Sequence, residues 1–337
     1  MTQGQLNKQQ ILVKEEAPSR AQRVLHTDDI LFQCVRPYQK NNYIVKETMY
    51  SIQWVASTGY AQIRTQINNP TFLYYVLNTS KYNKAVMVRC TGSSYPAINS
   101  EDLSKIPFYK CGIAEQKKIA DFLSLLDERI ATQNKIIEDL KKLKSAIIEK
   151  LYSEIQGKEY SYRQLFDVVN ERNKQMEYSN ILSASQEKGM INRDDLNLDI
   201  QFERSNINTY KIVRAGDYVI HLRSFQGGFA FSDKSGVCSP AYTILRPNSF
   251  LEYSYLSNYF TSQRFIKSLI IVTYGIRDGR SINVDEWLSM KITIPSKEHQ
   301  QYIVKIIGSF DRKIESEEAY TILLSKQKQY ILRKMFI

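Results

Sequence analysis

KIADFLSLLDERI (118–130) lines up residue for residue with YIVKIIGSFDRKI (302–314), so that Asp127 falls on Asp311 and Ile130 on Ile314, 184 positions apart. Just upstream, Gln116 falls on Gln300. Further out, INSEDLSKIP (98–107) matches INVDEWLSMKITIP (282–295), STGYAQIR (57–64) matches SPAYTILR (239–246), and DDILF (28–32) matches GDYVI (216–220). A repeat of this kind governs the architecture before any single motif does. The chain is a tandem duplication, each unit a mixed, strand-rich globule followed by one long helix.

The first helix is predicted from about 116 to 152, a stretch with no glycine or proline; Pro107 and Gly112 precede it and Gly157 follows. Its apolar residues fall on a heptad, with Ile119, Leu126, Leu140 and Ile147 at one position and Leu123, Ile130, Ile137 and Leu151 at the other. The same register in the second copy takes Ile303, Ile307, Phe310, Ile314, Leu324, Ile331 and Met335. Gln133 and Lys144 interrupt the first seam; Glu317 and Lys328 interrupt the second at the equivalent places, and Thr321 replaces Ile137. A seam of ~37 residues is too long for a helix that only covers a small globule. The economical arrangement pairs the two helices antiparallel, with the matched polar positions fixing register at some cost in stability.

The globules read as short strands (30–35, 43–46 and 60–64; 210–213, 218–222 and 241–245) between turn signals such as RPYQKNN and QGG. Each continues into an aromatic-rich stretch, 71–80 and 251–270, read as helix, with strand as the alternative because tyrosine favours sheets. Polar loops follow at 89–97 and 273–281. The expected class is α+β: two pseudo-repeated mixed domains, each followed by a long helix, the helices forming an antiparallel coiled coil. The boundaries are 1–112 for the first domain, 113–157 for the central helical spacer, 158–296 for the second domain and 297–337 for the C-terminal spacer.

Composition narrows the function. The 337 residues are 43% hydrophobic and 24% charged, an ordinary balance for a folded chain. No apolar run approaches the ~20 residues that cross a bilayer, and the start, MTQGQLNKQQ, has no apolar signal core, so the expected location is the cytoplasm without membrane association. Four widely spaced cysteines (Cys34, Cys90, Cys111, Cys238) and three histidines exclude a disulfide framework and argue against a zinc site. The net charge of +11 suits a polyanionic partner. Residues 1–114 hold 13 basic and 7 acidic side chains and residues 204–280 hold 10 and 4, so each segment carries +6.

Catalytic patterns are missing from the sequence. There is no G-x-x-x-x-G-K-[ST] loop, no G-x-G-x-x-G after a strand, and no Ser/His/Asp or Cys/His set. His26, His221 and His299 sit in unrelated contexts, and Glu115 with Lys117 begins a heptad helix without a supporting acid run. Asp28–Asp29 and Asp194–Asp195 could suggest metal carboxylates, but Asp29 aligns with Asp217 in a turn that opens a strand, which favours a turn role. The chain reads as a non-catalytic binder of duplex DNA. Candidate base readers are Arg36, Tyr38, Arg89, Ser93, Ser94 and Tyr95 in the first unit, and Arg223, Ser224, Gln226, Tyr274, Arg277 and Arg280 in the second. Arginine can grip guanine and glutamine adenine through paired hydrogen bonds. Lys81, Lys84, Arg264 and Lys267 are expected on phosphates, which position without specifying.

These residues resemble the specificity subunits of Type I restriction–modification systems. The resemblance rests on Ile-Pro, a spacer, Glu-Gln-x-x-Ile and Leu-Asp-x-x-Ile, seen in IPFYKCGIAEQKKIADFLSLLDERI (106–130) and more loosely in IPSKEHQQYIVKIIGSFDRKI (294–314), where His299 replaces the Glu before Gln. YGIRDGRSIN (274–283) looks like the end of a target recognition domain. The resemblance implies a non-enzymatic reader whose two target recognition domains each read half of a bipartite asymmetric site in double-stranded DNA. It implies helical spacers that set the gap and dock two methyltransferase subunits, with restriction subunits joining them. No cofactor is expected in this chain; S-adenosylmethionine, ATP and Mg would belong to the partners. Two other classes remain open: a self-contained DNA-modifying enzyme, against which NNPTF (68–72) lacks the adenine methyltransferase pattern, and a coiled-coil protein-binding scaffold without DNA readout.

Aligning Gly4 with Gly189 leaves YSYRQLFDVVNERNKQMEYSNILSAS (160–185) without a counterpart in the first unit. These positions are predicted to form one helix and one strand. The first recognition domain is therefore expected to be incomplete at its N-terminal side, with an open sheet edge.

Overall fold

The repeat appears in a computed structural model of the chain as two compact units, one of residues 1–135 and 317–337 and the other of residues 136–316. The structure describes residues 16–46, 54–185, 188–195, 204–221, 228–274 and 281–336.

In the first unit the strands are β1 (Ala21–Val24), β2 (Ile30–Gln33), β3 (Tyr43–Ile44), β4 (Val55–Ser57) and β5 (Tyr60–Ile63). The helices are α1 (Pro70–Asn78), α2 (Ser80–Arg89), α3 (Ser100–Ser104) and the first part of α4 (Ile113–Ser153). The central strand β2 is paired antiparallel with β3 and β5, Ile30 facing Ile63 and Phe32 facing Ala61; β1 and β4 form a separate pair. Asn69 starts α1 by accepting the Phe72 amide hydrogen, and Pro70 occupies the first turn, where its missing donor costs nothing. Thr79 caps α2 in the same way through the Tyr82 amide. Ile30, Phe32, Leu73, Val76, Val86 and Ala120 fill the core between sheet and helices.

In the second unit the elements are β6 (Lys158–Ser161), α5 (Tyr162–Leu165), β7 (Phe166–Val169), β8 (Leu182–Ser185), β9 (Gly189–Asn192), β10 (Lys211–Val213) and β11 (Tyr218–Ile220). They continue with β12 (Phe229–Phe231), β13 (Gly236–Cys238), β14 (Thr243–Pro247), α6 (Gln263–Ser268), β15 (Thr273–Tyr274), β16 (Ser281–Ile282), α7 (Val284–Ser289), β17 (Lys291–Ile294) and α8 (Lys297–Met335), which runs on into the first unit. The main sheet is β12-β11-β14-β7, and β10-β13, β8-β9, β15-β16 and β17-β6 pair separately. Its core is aromatic, with Trp287 stacked on Tyr162 at 4.3 Å and Phe166, Phe229, Phe260 and Phe265 around them.

Two expectations are corrected here. Residues 251–270 do not form one helix: turns run through 253–261 and only Gln263–Ser268 is α-helical. Ser254 takes a left-handed φ of 61°, and the hydroxyls of Ser257 and Thr261 bond to the carbonyls of Ser254 and Asn258, offering the backbone local alternatives to a helix. Residues 160–185 hold a single helical turn, α5, and more than one strand, because LFDVV falls largely on β7 and NILSAS on β8. Ser161 and Gln164 cap that turn, and the chain then extends to pair with β14, Asp167 opposite Arg246. The strand β14 is thus bonded on both sides. Among the described residues its repeat equivalent, β5, is bonded on one side only, to β2.

Both long helices are divided between the units because each end packs on a different globule. Ile119 and Ala120 join the first core, and Ile148, Leu151, Tyr152, Ile303 and Ile307 join the second. Leu123, Ile137, Ile314 and Leu324 are buried; Leu126, Ile130, Leu140, Ile147, Phe310 and Ile331 are half-buried. Met335 departs from the seam pattern and is exposed; its neighbour Phe336 packs instead on Phe72, ring centroids 5.4 Å apart. The equivalent contact in the second unit is Tyr152 on Tyr255, at 5.6 Å. The helices are antiparallel: in the first unit Asp127 meets Lys328 while Gln133 meets Glu317. In the second, Lys144 meets Asp311 at 2.5 Å. Among the described residues no helix is long and apolar enough to cross a membrane.

Candidate nucleic-acid interface

A buried carboxylate braces the turn before the central strand of each unit. Asp29 accepts the His26 amide hydrogen at 2.8 Å, Gln62 at 2.7 Å and the Arg64 guanidinium at 2.7 and 2.8 Å. Burial works to raise its pKa, but the Arg64, His26 and Gln62 hydrogen bonds outweigh it and hold the carboxyl below its usual value. In the second unit Asp217 accepts the Arg214 amide at 2.8 Å and the Arg246 guanidinium at 2.9 Å. Both aspartates are spent on the scaffold, in keeping with the turn role. Among the described residues no group of His, Cys, Asp and Glu could hold a metal ion.

From this brace β2 leads to a ledge built of two loops. Val35 bridges Ala97, the Arg36 amide donates to the Pro96 carbonyl at 2.8 Å, and the Ile98 amide donates to the Cys34 carbonyl at 3.0 Å. Gly92, at φ 88°, turns the second loop; a Cβ there would stand 3.0 Å from the Tyr95 carbonyl. Arg36 has a left-handed φ of 54°, a conformation that costs a residue with a side chain about 1–3 kcal/mol and that the surroundings must hold in place. Its guanidinium lies over the Tyr95 ring, 4.3 Å from the centroid. Tyr38 and Tyr95 are exposed, as are Ser93 and Ser94.

Helix α2 is tied to the ledge by the Asn83 amide, which donates to the Pro37 carbonyl at 3.1 Å. Lys40 points inward, donating to the Asn78 carbonyl at 3.3 Å, and burial pushes its pKa down. Lys81 and Lys84 lie on the exposed face of α2, Lys81 with its ammonium 5.1 Å from the centroid of the exposed Tyr109 ring. Arg89, at the end of the helix, folds back to the Ala85 carbonyl at 3.0 Å.

Six predicted readers thus fall on or beside one surface of the first unit: Arg36 and Tyr95 in contact, Tyr38, Ser93 and Ser94 on the same loops, and Arg89 at the end of α2. In the second unit Arg264 and Lys267 stand exposed on α6. Tyr274 is placed by backbone pairing with Ser281. Arg223, Ser224, Gln226, Arg277 and Arg280 lie outside the described residues. The two cationic helices are equivalent, 183 positions apart: Ser262 caps α6 as Thr79 caps α2, and Phe265 and Leu269 are buried where Tyr82 and Val86 are. Arg264 and Lys267 therefore occupy the places of Lys81 and Lys84. Sequence reasoning missed Tyr109, Val88 and Ile271, all strongly exposed apolar or aromatic residues on or beside these helices. Aligning the copies at their cap residues, Thr79 and Ser262, would have paired Val88 with Ile271.

A cationic helix thus recurs in the two units, with the polar ledge beside it in the first. Residues 2–142 and 157–325 match the family model described as Type I restriction modification DNA specificity domain. The chain is 24% identical over 290 residues to a protein of Methanocaldococcus jannaschii described as the specificity subunit of the type I restriction enzyme MjaX, covering 78% of this chain and 66% of that one. The chain thus spans slightly under two thirds of that relative's length. A solved structure titled for complex assembly and conformational transition of the type I R-M system matches over 96% of this chain and 85% of its own, with a TM-score of 0.64 and 18% identity. The crystal structure of the Type-I restriction-modification system S subunit from M. genitalium matches over 98% and 93%, with a TM-score of 0.53 and 14% identity. The chain belongs to the family of Type I restriction modification DNA specificity domains.

Proposed function

We propose that this chain is the sequence-reading subunit of a Type I restriction–modification complex, each of its two units reading one half of a bipartite, asymmetric site in double-stranded DNA. The observation that carries this reading is the recurrence of one constellation in both units, a capped helix with two exposed cations, which in the first unit leads into a polar loop. Arginine and lysine on the helix hold phosphates, and the loop residues meet base edges. Two methyltransferase subunits dock on the long helices, and restriction subunits join that core in the cytoplasm. Exposed apolar residues on α4 away from its seam, Phe122, Leu125, Ile136 and Leu143, support a role for this helix in protein contacts. S-adenosylmethionine, ATP and Mg are bound by those partners.

The test is a map of methylated adenines in cells carrying the chain with its methyltransferase subunits. Two short specific sequences separated by a fixed number of unread base pairs are expected. Inserting four residues, about one helical turn, after Leu140 should change the gap and leave both half-site sequences alone. A continuous site, or altered bases at an unchanged gap, would overturn the reading.

A further inference from the structure

Val88 and Ile271 are among the most exposed aliphatic side chains of the protein, at 84% and 71%. A single exposed aliphatic residue needs no explanation. These two, however, occupy the same place in the two copies, seven residues after Lys81 and Arg264 and four after Lys84 and Lys267. In α2 that spacing puts both cations and the aliphatic tip on one helical face. The opposite face is the one that holds the core, through Tyr82 and Val86 in α2 and through Phe265 and Leu269 in the second unit. The two copies differ in most residues of this segment, SKYNKAVMVR against QRFIKSLIIV, yet each presents cation, cation and β-branched tip.

We infer that Val88 and Ile271 are specificity-determining residues, each making an apolar contact with the C5-methyl group of a thymine in the half-site read by its unit. The inference rests on the DNA-reading function proposed above and deepens it. The two cations on the face select the partner: lysine is depleted in the cores of protein–protein interfaces, whereas paired cations suit a phosphate backbone. With the cations against phosphates, Val88 on the next turn of α2, ~5.4 Å on, and Ile271 on the 3-10 turn Leu269–Val272 that follows α6 bring the aliphatic tips to the groove. The aliphatic group that a base pair presents in the major groove is the thymine methyl. Neither tip can hydrogen-bond, so each adds preference for A·T at one position without competing with the polar readers of the loops.

The experiment uses the complex of this chain with its methyltransferase subunits and duplexes carrying the mapped site, with the thymines of one half-site replaced by deoxyuridine. Removing the methyl in the first unit's half-site should weaken binding about fourfold, the worth of one buried methylene-sized group. Val88→Ala should weaken binding to the thymine duplex at least as much and add little on the deoxyuridine duplex. Ile271→Ala should behave the same way toward the other half-site. Affinity for an unrelated duplex, and its salt dependence, should be unchanged in both variants, while Lys81→Ala and Lys267→Ala lower both. Unaltered affinity of the alanine variants for the thymine duplex would overturn the inference, as would losses that add to those of deoxyuridine, or a half-site without an A·T pair. So would a defect confined to assembly with the methyltransferase subunits, which would assign the tips to a protein contact. Failure of the unmodified complex to bind any duplex would instead overturn the DNA-reading function itself.

Discussion

Gln133 donates a side-chain hydrogen bond to the carboxylate of Glu317, the residue that stands in its own place in the other copy of the repeat. Exchanging the two copies maps this contact onto itself. It maps Lys328–Asp127 in the first unit onto Lys144–Asp311 in the second. The four polar residues that interrupt the two heptad seams are all satisfied in this one antiparallel register. A slip of the helices would leave the buried Gln133 amide without its acceptor.

Glu317→Leu should therefore destabilise the helix pair by about 1–3 kcal/mol, since it strands a buried amide. The double variant Gln133→Leu with Glu317→Leu should recover at least that loss, because two apolar groups replace a pair whose desolvation is costly. Helical circular dichroism followed through denaturant titration of the full chain measures both. A double variant no more stable than Glu317→Leu would refute the account.

Lys328 and Asp127 are each partly open to solvent, at 23% and 39%, so Lys328→Ala should cost less than about 1 kcal/mol. Lys328→Glu should cost more, by placing two carboxylates together. Adding Asp127→Lys should restore only part of the loss: the Tyr75 hydroxyl, which donates to Asp127 at 2.7 Å, loses its acceptor in the exchange. Full recovery in thermal melts of the swapped variant would show that the Tyr75 bond contributes nothing.

The folded-state pKa of Asp29 lies below its unfolded value of about 3.8, so the ionised carboxylate stabilises the first unit above that pH. That contribution is lost as pH falls through the lower, folded-state pKa. The stability difference between the unmodified chain and Asp29→Asn should stay constant from about pH 7 down to pH 5 and shrink below about pH 4. A difference that grew on acidification would reverse the assigned direction.

Amide exchange should separate the two sheets. Strand β14 is bonded to β11 and β7, whereas β5, among the described residues, is bonded to β2 alone. Amides of β5 that point away from β2 should exchange faster than those of β14 that point to β7. Equal protection along both strands would show that another segment covers the β5 edge.

Much of this protein was legible from local pattern. The repeat, the glycines that bracket α4 and the positions of Gln133, Lys144, Glu317 and Lys328 all follow from spacing along one chain, because a helix imposes its period on neighbouring residues. A heptad position says which side of a helix a residue occupies but not what lies opposite. That Lys144 meets Asp311 and Gln133 meets Glu317 was decided by how the two helices pack. The run 251–270 misled because serine and threonine side chains in it bond to nearby backbone once tertiary packing has buried the aromatics. Arg36 and Tyr95, 59 residues apart, meet only because backbone bonds between Cys34–Arg36 and Pro96–Ile98 join the two loops. The sequence alone does not say which way Val88 faces. Only the packing of Tyr82 and Val86 against the sheet shows that it faces outward, since a helix of alternating cations and aliphatics has more than one face that could be buried and the rest of the fold selects which.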